Sequence, residues 1–208
     1  MKDRLAPIDK PRPFRHAARW MKPPVRITTG QGDKGFTRLF SGEEVPKDAP
    51  PLEFLGDLDE LVSVLGVARL HAVQPETREA ILAVQRDLFR VGSELATAPD
   101  QAALLSGRVD TESVRQLEAR GRALEASQPM PANFVIPGAT LAAAHLDLAR
   151  AVARRCERRV AALHRSGWCR NEHVLAWMNR LSDYLWLLAR SEEKCSIPLR
   201  PPDEGRPS

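Results

Sequence analysis

The chain has 208 residues, 43% hydrophobic and 28% charged, with a formal net charge of +4. That length fits one domain with tails and buries a core without disulfides or structural metal. No apolar run reaches a membrane span and no apolar h-region with a cleavage site opens the chain, so neither an anchor nor a secretory signal is expected.

The charge is uneven. Residues 1–26 hold eight Lys/Arg against two Asp, and the remainder holds 23 basic against 25 acidic residues. This Pro-rich arm reads as a disordered, solvated extension, and it fits an organellar transit peptide poorly. The near-neutral body lacks the basic surplus that nucleic-acid binding requires. Cys156, Cys169 and Cys195 have neither metal nor redox spacing, which fits a reducing, cytoplasmic setting.

Residues 27–51 read as a loop, with Gly30, Gly32, Gly35 and Gly42 among several prolines. From Leu52 an apolar stripe (Leu55, Leu58, Leu61, Val62, Leu65) predicts a helix to about His71. Pro75 opens a second, with Ile81, Val84, Leu88, Val91 and Leu95 on one face before Pro99. Residues 110–126 predict a shorter polar helix, with Asp110 and Ser113 as its cap. Residues 128–139 are a break. A long helix follows from about Thr140 to Ser166, stopped by Gly167. The last runs from about Asn171 to Lys194, burying Val174, Trp177, Met178, Leu181, Leu185 and Leu188. A Pro-rich tail, 196–208, closes the chain. No run has a strand pattern. Five helices with short links predict an all-α, antiparallel bundle over residues 27–195.

Residues 150–159 carry the strongest electrostatic signal. Arg150, Arg154 and Arg158 recur every fourth residue on one helical face, and Arg155 and Arg159 form an adjacent row. Like charges at that spacing repel, so a carboxylate or phosphate should meet this helix. A solvated basic face is the plainer reading. Upstream, Thr28 to Arg38 cluster glycines with Thr and Lys. Such a loop can turn backbone N–H groups toward an anion, although it lacks the Walker spacing. Between residues 27 and 193 the only lysines are Lys34 and Lys47, both in this segment. Lysine is a compact charge suited to polyphosphate. Asp57 and Glu60 near the first helix start read as helix-dipole acids, and Asp59 as a partner for an arginine of the run. Phe134 lies in an apolar loop before the arginine helix, and Asn179 in an apolar helix wants a polar partner.

These segments, in this order, resemble the PduO-type ATP:cob(I)alamin adenosyltransferases. The matched stretches are Gly32-Asp33-Lys34-Gly35 with Thr37, Gly42-Glu43 through Asp48, Gly56 with Asp59-Glu60-Leu61, Phe134 with Pro137-Gly138, Ala149 to Arg159, and Asn179 to Tyr184. The resemblance implies a ferritin-like five-helix bundle with an N-terminal glycine-rich nucleotide-binding loop, assembled as a homotrimer with ATP between subunits. It implies transfer of the 5′-deoxyadenosyl group of ATP to cob(I)alamin, giving adenosylcobalamin and triphosphate, with Mg²⁺. The implied ATP-binding residues are Thr28, Gly32, Asp33, Lys34, Gly35, Thr37, Lys47, Arg154, Arg158 and Asn179. Arg158, Asn179 and Phe134 are the implied catalytic set, with Phe134 facing the corrin. Asp59 and Arg154 would pair across the subunit interface, and Glu157 would help with the metal. A cob(II)alamin reductase and an adenosylcobalamin-dependent enzyme are the implied partners. Two alternatives stay open at this point. One is a non-catalytic ATP/corrinoid-binding escort or sensor, motivated by Gly30, Gln31 and Val62. The other is a helical oligomerisation module whose arginines only pair with carboxylates.

Overall fold

The computed structural model describes residues 28–102 and 105–199. The basic arm of residues 1–26 lies outside the described residues, as does the tail beyond residue 199. The chain divides into two units, residues 1–34 and 35–208. In the first, the described part is a turn in which Asp33 N donates to Gly30 O at 3.3 Å.

The second unit holds five helices among its described residues: α1 Pro50–His71, α2 Pro75–Leu95, α3 Thr111–Ser127, α4 Leu141–Arg165 and α5 Glu172–Ser191. Their starts follow local chemistry. Proline occupies the first turn of α1 and of α2, where its missing N–H has no intrahelical partner to lose. Asp110 and Ser113 form the expected capping box on α3. Thr140 accepts from Ala143 N at 3.1 Å to cap α4, and Asn171 accepts from His173 N at 3.1 Å to cap α5. Gly167, at φ +78°, follows the end of α4.

Contacts between helices fix their directions. On α1 and α4, Glu60 pairs with Arg155 while the earlier Glu53 pairs with the later Arg159, so the helices are antiparallel. On α4 and α5, Glu157 meets Asn179 while Asp147 meets Arg190, again antiparallel. The three-residue link from α1 to α2 reverses the chain. α3 runs alongside α5 in the same direction: Thr111 meets His173, and Glu118 meets Arg180. The core is filled by Phe54, Leu61, Leu65, Ile81, Leu88, Leu146, Trp177, Met178 and Leu181, all buried. Each such side chain contributes about 1.5–3 kcal/mol relative to exposure. Gly92 allows close approach of α2 to α1, since a Cβ there would sit 2.9 Å from a Leu58 methyl.

The expectation of no strands fails at two small ribbons. β1 (Phe36–Arg38) pairs antiparallel with β2 (Glu44–Pro46) before α1. β3 (Val135–Ile136) pairs antiparallel with β4 (Ile197–Pro198), which draws the start of the C-terminal tail against the loop before α4. Strands of two or three residues are too short for alternation to register in sequence.

Candidate functional site

The two arginine rows of α4 have separate fates. Arg155 and Arg159 turn toward α1. Arg155 lies 3.2 Å from Asp57 and also pairs with Glu60, while Arg159 lies 2.5 Å from Asp57 and 2.7 Å from Glu53. These carboxylates raise the Arg159 pKa, the Asp57 hydrogen bond most of all. This corrects the reading of Asp57 and Glu60 as dipole acids. α1 begins at Pro50, so both lie beyond its first turn, where they meet charge on α4. Arg159 is ion-paired rather than part of a solvated basic face.

Arg154 and Arg158 are exposed and have no ion-pair partner among the described residues. Arg150, expected in their row, instead pairs with the buried Asp147 at 3.2 Å. Asp147 also holds the buried Arg190 at 2.6 Å, and Glu193 holds it at 2.8 Å. This cluster was not read from the sequence. Its signal was an acid in the apolar stripe of α4.

Asn179 on α5 is half-buried and faces α4. Its Nδ2 donates to Glu157 Oε1 at 2.9 Å, and Arg180 Nη1 donates to its Oδ1 at 2.7 Å. Arg180 Nε in turn donates to Glu118 Oε1 at 2.8 Å on α3, and that bond holds the Glu118 carboxyl below its usual range. Helical spacing puts Arg154, Glu157 and Arg158 together around this point. The result is a mid-bundle cluster of two unpaired cations, one carboxylate with a free oxygen, and one amide. It suits an anion carrying a polar heterocycle. Among the described residues no group of three or more His, Cys, Asp or Glu could hold a metal. Glu157 is the one carboxylate beside Asn179, and its Oε1 accepts from the Asn179 amide.

Asp59 is exposed and pairs with no arginine of its own chain among the described residues. It sits on the rim of an apolar cavity of about 270 Å³ between α1 and α2, with Leu55, Val62 and the exposed Phe89. Its neighbours Asp57 and Glu60 face α4, so Asp59 is turned away from the arginine helix.

In the second unit, Gly35 and Lys47 are joined by a backbone hydrogen bond of 2.9 Å, and Thr37 lies opposite Val45 in the β1/β2 ribbon. This ribbon enters α1 at the end of the bundle where α4 finishes. Thr28, Gly32, Asp33 and Lys34 lie in the first unit, in and beside its turn. Phe134 is 84% exposed, and its carbonyl accepts from Leu199 N at 2.7 Å. It precedes α4, and a rise of about 1.5 Å per residue carries Arg154 about 20 Å along that helix from its start. Within the chain Phe134 therefore stands apart from Arg154 and Arg158.

A model of the cobalamin adenosyltransferase family matches residues 27–192. A corrinoid adenosyltransferase from Citrobacter freundii is 41% identical over 169 residues, covering 81% of this chain and 95% of the relative. A second from the same organism, corrinoid adenosyltransferase PduO, is 38% identical over 170 residues; the match covers 81% of this chain and 50% of that longer protein. Among solved structures, a variant PduO-type ATP:corrinoid adenosyltransferase from Lactobacillus reuteri, complexed with cobalamin and ATP, has a TM-score of 0.75 at 29% identity. It covers 85% of this chain and 100% of its own.

Proposed function

The chain belongs to the cobalamin adenosyltransferase family, and from that membership we propose that it transfers the 5′-deoxyadenosyl group of ATP to cob(I)alamin, giving adenosylcobalamin and triphosphate. The observation that carries the reading at the level of residues is the pair of unpartnered arginines, Arg154 and Arg158, beside the Asn179–Glu157 contact.

Cob(I)alamin is already a strong nucleophile, so no general base is required. The protein must align cobalt with C5′, neutralise the departing triphosphate, and keep the lower ligand off cobalt. Arg158 binds the polyphosphate. Gly35, Thr37 and Lys47 supply backbone and side-chain groups for it. Asn179 holds the nucleotide. Glu157 would be the carboxylate that holds a Mg²⁺ carried by the phosphates, and the ion would help neutralise the departing triphosphate. Phe134 meets the corrin face and excludes the lower ligand, a role its exposure suits.

The active assembly is a homotrimer. Asp59 and Arg154 are both exposed, lack partners within the described residues and lie on different faces. That is what a head-to-tail ring needs, where one face meets a different face of the next copy. The supply of cob(I)alamin requires a cob(II)alamin reductase, and the product serves an adenosylcobalamin-dependent enzyme. Three free cysteines suit the reducing cytoplasm. No helix of the described residues is long and apolar enough to cross a membrane.

Crystals grown with ATP and Mg²⁺ test the placement. Triphosphate against Arg158, with the nucleoside at Asn179 between two protomers, supports it. Nucleotide bound away from α4 refutes it.

A further inference from the structure

We infer that Arg180 is a positioning residue that fixes the orientation of the Asn179 amide, and that α3 takes part in nucleotide binding through Glu118. The inference deepens the reading above and rests on its assignment of Asn179 to the nucleotide.

An asparagine amide can sit either way round, and the two orientations present opposite groups. A guanidinium has donors only, so Asn179 Oδ1 is the end that can face Arg180, and it accepts from Nη1 at 2.7 Å. That leaves Nδ2 for Glu157, where it donates at 2.9 Å. A flipped amide would set N–H against N–H at one end and oxygen against carboxylate at the other. Both hydrogen bonds would break together.

Arg180 is itself held. Its Nε donates to Glu118 Oε1 at 2.8 Å, across the α3–α5 boundary. Three charge-assisted hydrogen bonds thus run from α3 through α5 to α4, with the amide as the middle link. One N–H of Asn179 and the second lone pair of its Oδ1 remain for a ligand, already oriented. Pre-set polar groups bind without the cost of ordering them on arrival.

Steady-state kinetics on the full chain test this. Arg180→Met should raise the KM for ATP about tenfold, the worth of one charge-assisted hydrogen bond, and leave the KM for cobalamin within about twofold. Its Tm should stay near wild type, because Arg180 is exposed. Glu118→Ala should shift the ATP KM in the same direction, and Glu118→Gln, which keeps an acceptor for Arg180 Nε, should restore it. In a double-mutant cycle, adding Arg180→Met to Asn179→Ala should cost nothing further. If Asn179→Ala is impaired while Arg180→Met binds ATP like wild type, the inference falls and the reading of the site stands. Full additivity also overturns it, since Arg180 would then bind the nucleotide by itself. An unimpaired Asn179→Ala overturns both.

Discussion

Arg155 Nε lies 3.2 Å from Asp57 Oδ1, and the same carboxylate meets Arg159, so Asp57 bridges the inner row of the arginine helix while Glu60 and Glu53 complete its neutralisation. The outer row, Arg154 and Arg158, is left without a partner among the described residues. With Arg150 held by Asp147, this division turns a repulsive helix face into three structural and two available cations.

The inner row should matter for stability. Asp57→Asn leaves Arg155 and Arg159 facing α1 with less compensation, at a cost of about 1–2 kcal/mol. A chain of this size should lose roughly 3–6 °C in Tm. Turnover measured well below that temperature should stay near wild type. Thermal denaturation and activity of the same preparation check both halves.

The outer row should matter for chemistry. Arg158→Ala removes an exposed, unpaired side chain, so Tm should move by less than about 1 °C. If Arg158 binds the triphosphate, kcat/KM should fall about a hundredfold, as when one partner of a desolvated charge pair is removed. A variant that loses stability and keeps activity would move Arg158 out of the site.

Assembly gives a third test. If Asp59 pairs with Arg154 of a neighbouring copy, Asp59→Arg should weaken assembly in sedimentation equilibrium by placing like charges together. Adding Arg154→Asp should restore assembly, because the swapped pair regains opposite charges. Equal trimer populations in the single variant would remove this pair from the interface.

The thiols give a pH test with a definite sign. Burial, with the nearby Asp57 charge, pushes the Cys156 thiol up to about 12. In the unfolded chain a thiol ionises near pH ~8.5. Below that value the two states bind the same proton and the full stability is present. As pH rises toward the folded value, only the unfolded state releases it, and stability falls. Cys156→Ala should therefore flatten the loss of Tm between about pH 8.5 and 10.5. Cys195, the exposed thiol, should be the one labelled by a thiol reagent in the native protein at about pH 8.

The helices were legible because their signals are local. Stripes such as Ile81-Val84-Leu88-Val91-Leu95 and the Asp110–Ser113 cap are written within one segment, and the core follows them. The roles of the charges are set across segments. Which arginine meets Asp57 depends on the register of α1 against α4, and four-residue spacing alone grouped Arg150 with Arg154 and Arg158. The β3/β4 ribbon joins segments far apart in sequence through two-residue strands, so no local pattern marks it. Arg180 was visible beside Asn179, but its bond to the amide depends on a carboxylate supplied by α3.

The most direct measurement of the central claim is anaerobic turnover of the purified protein with ATP, Mg²⁺ and chemically reduced cobalamin, following the corrinoid spectrum and the phosphate products together. The account predicts conversion of cob(I)alamin to adenosylcobalamin with an equal amount of inorganic triphosphate. A folded protein that binds both substrates and converts neither, or that releases ADP and phosphate, would contradict it.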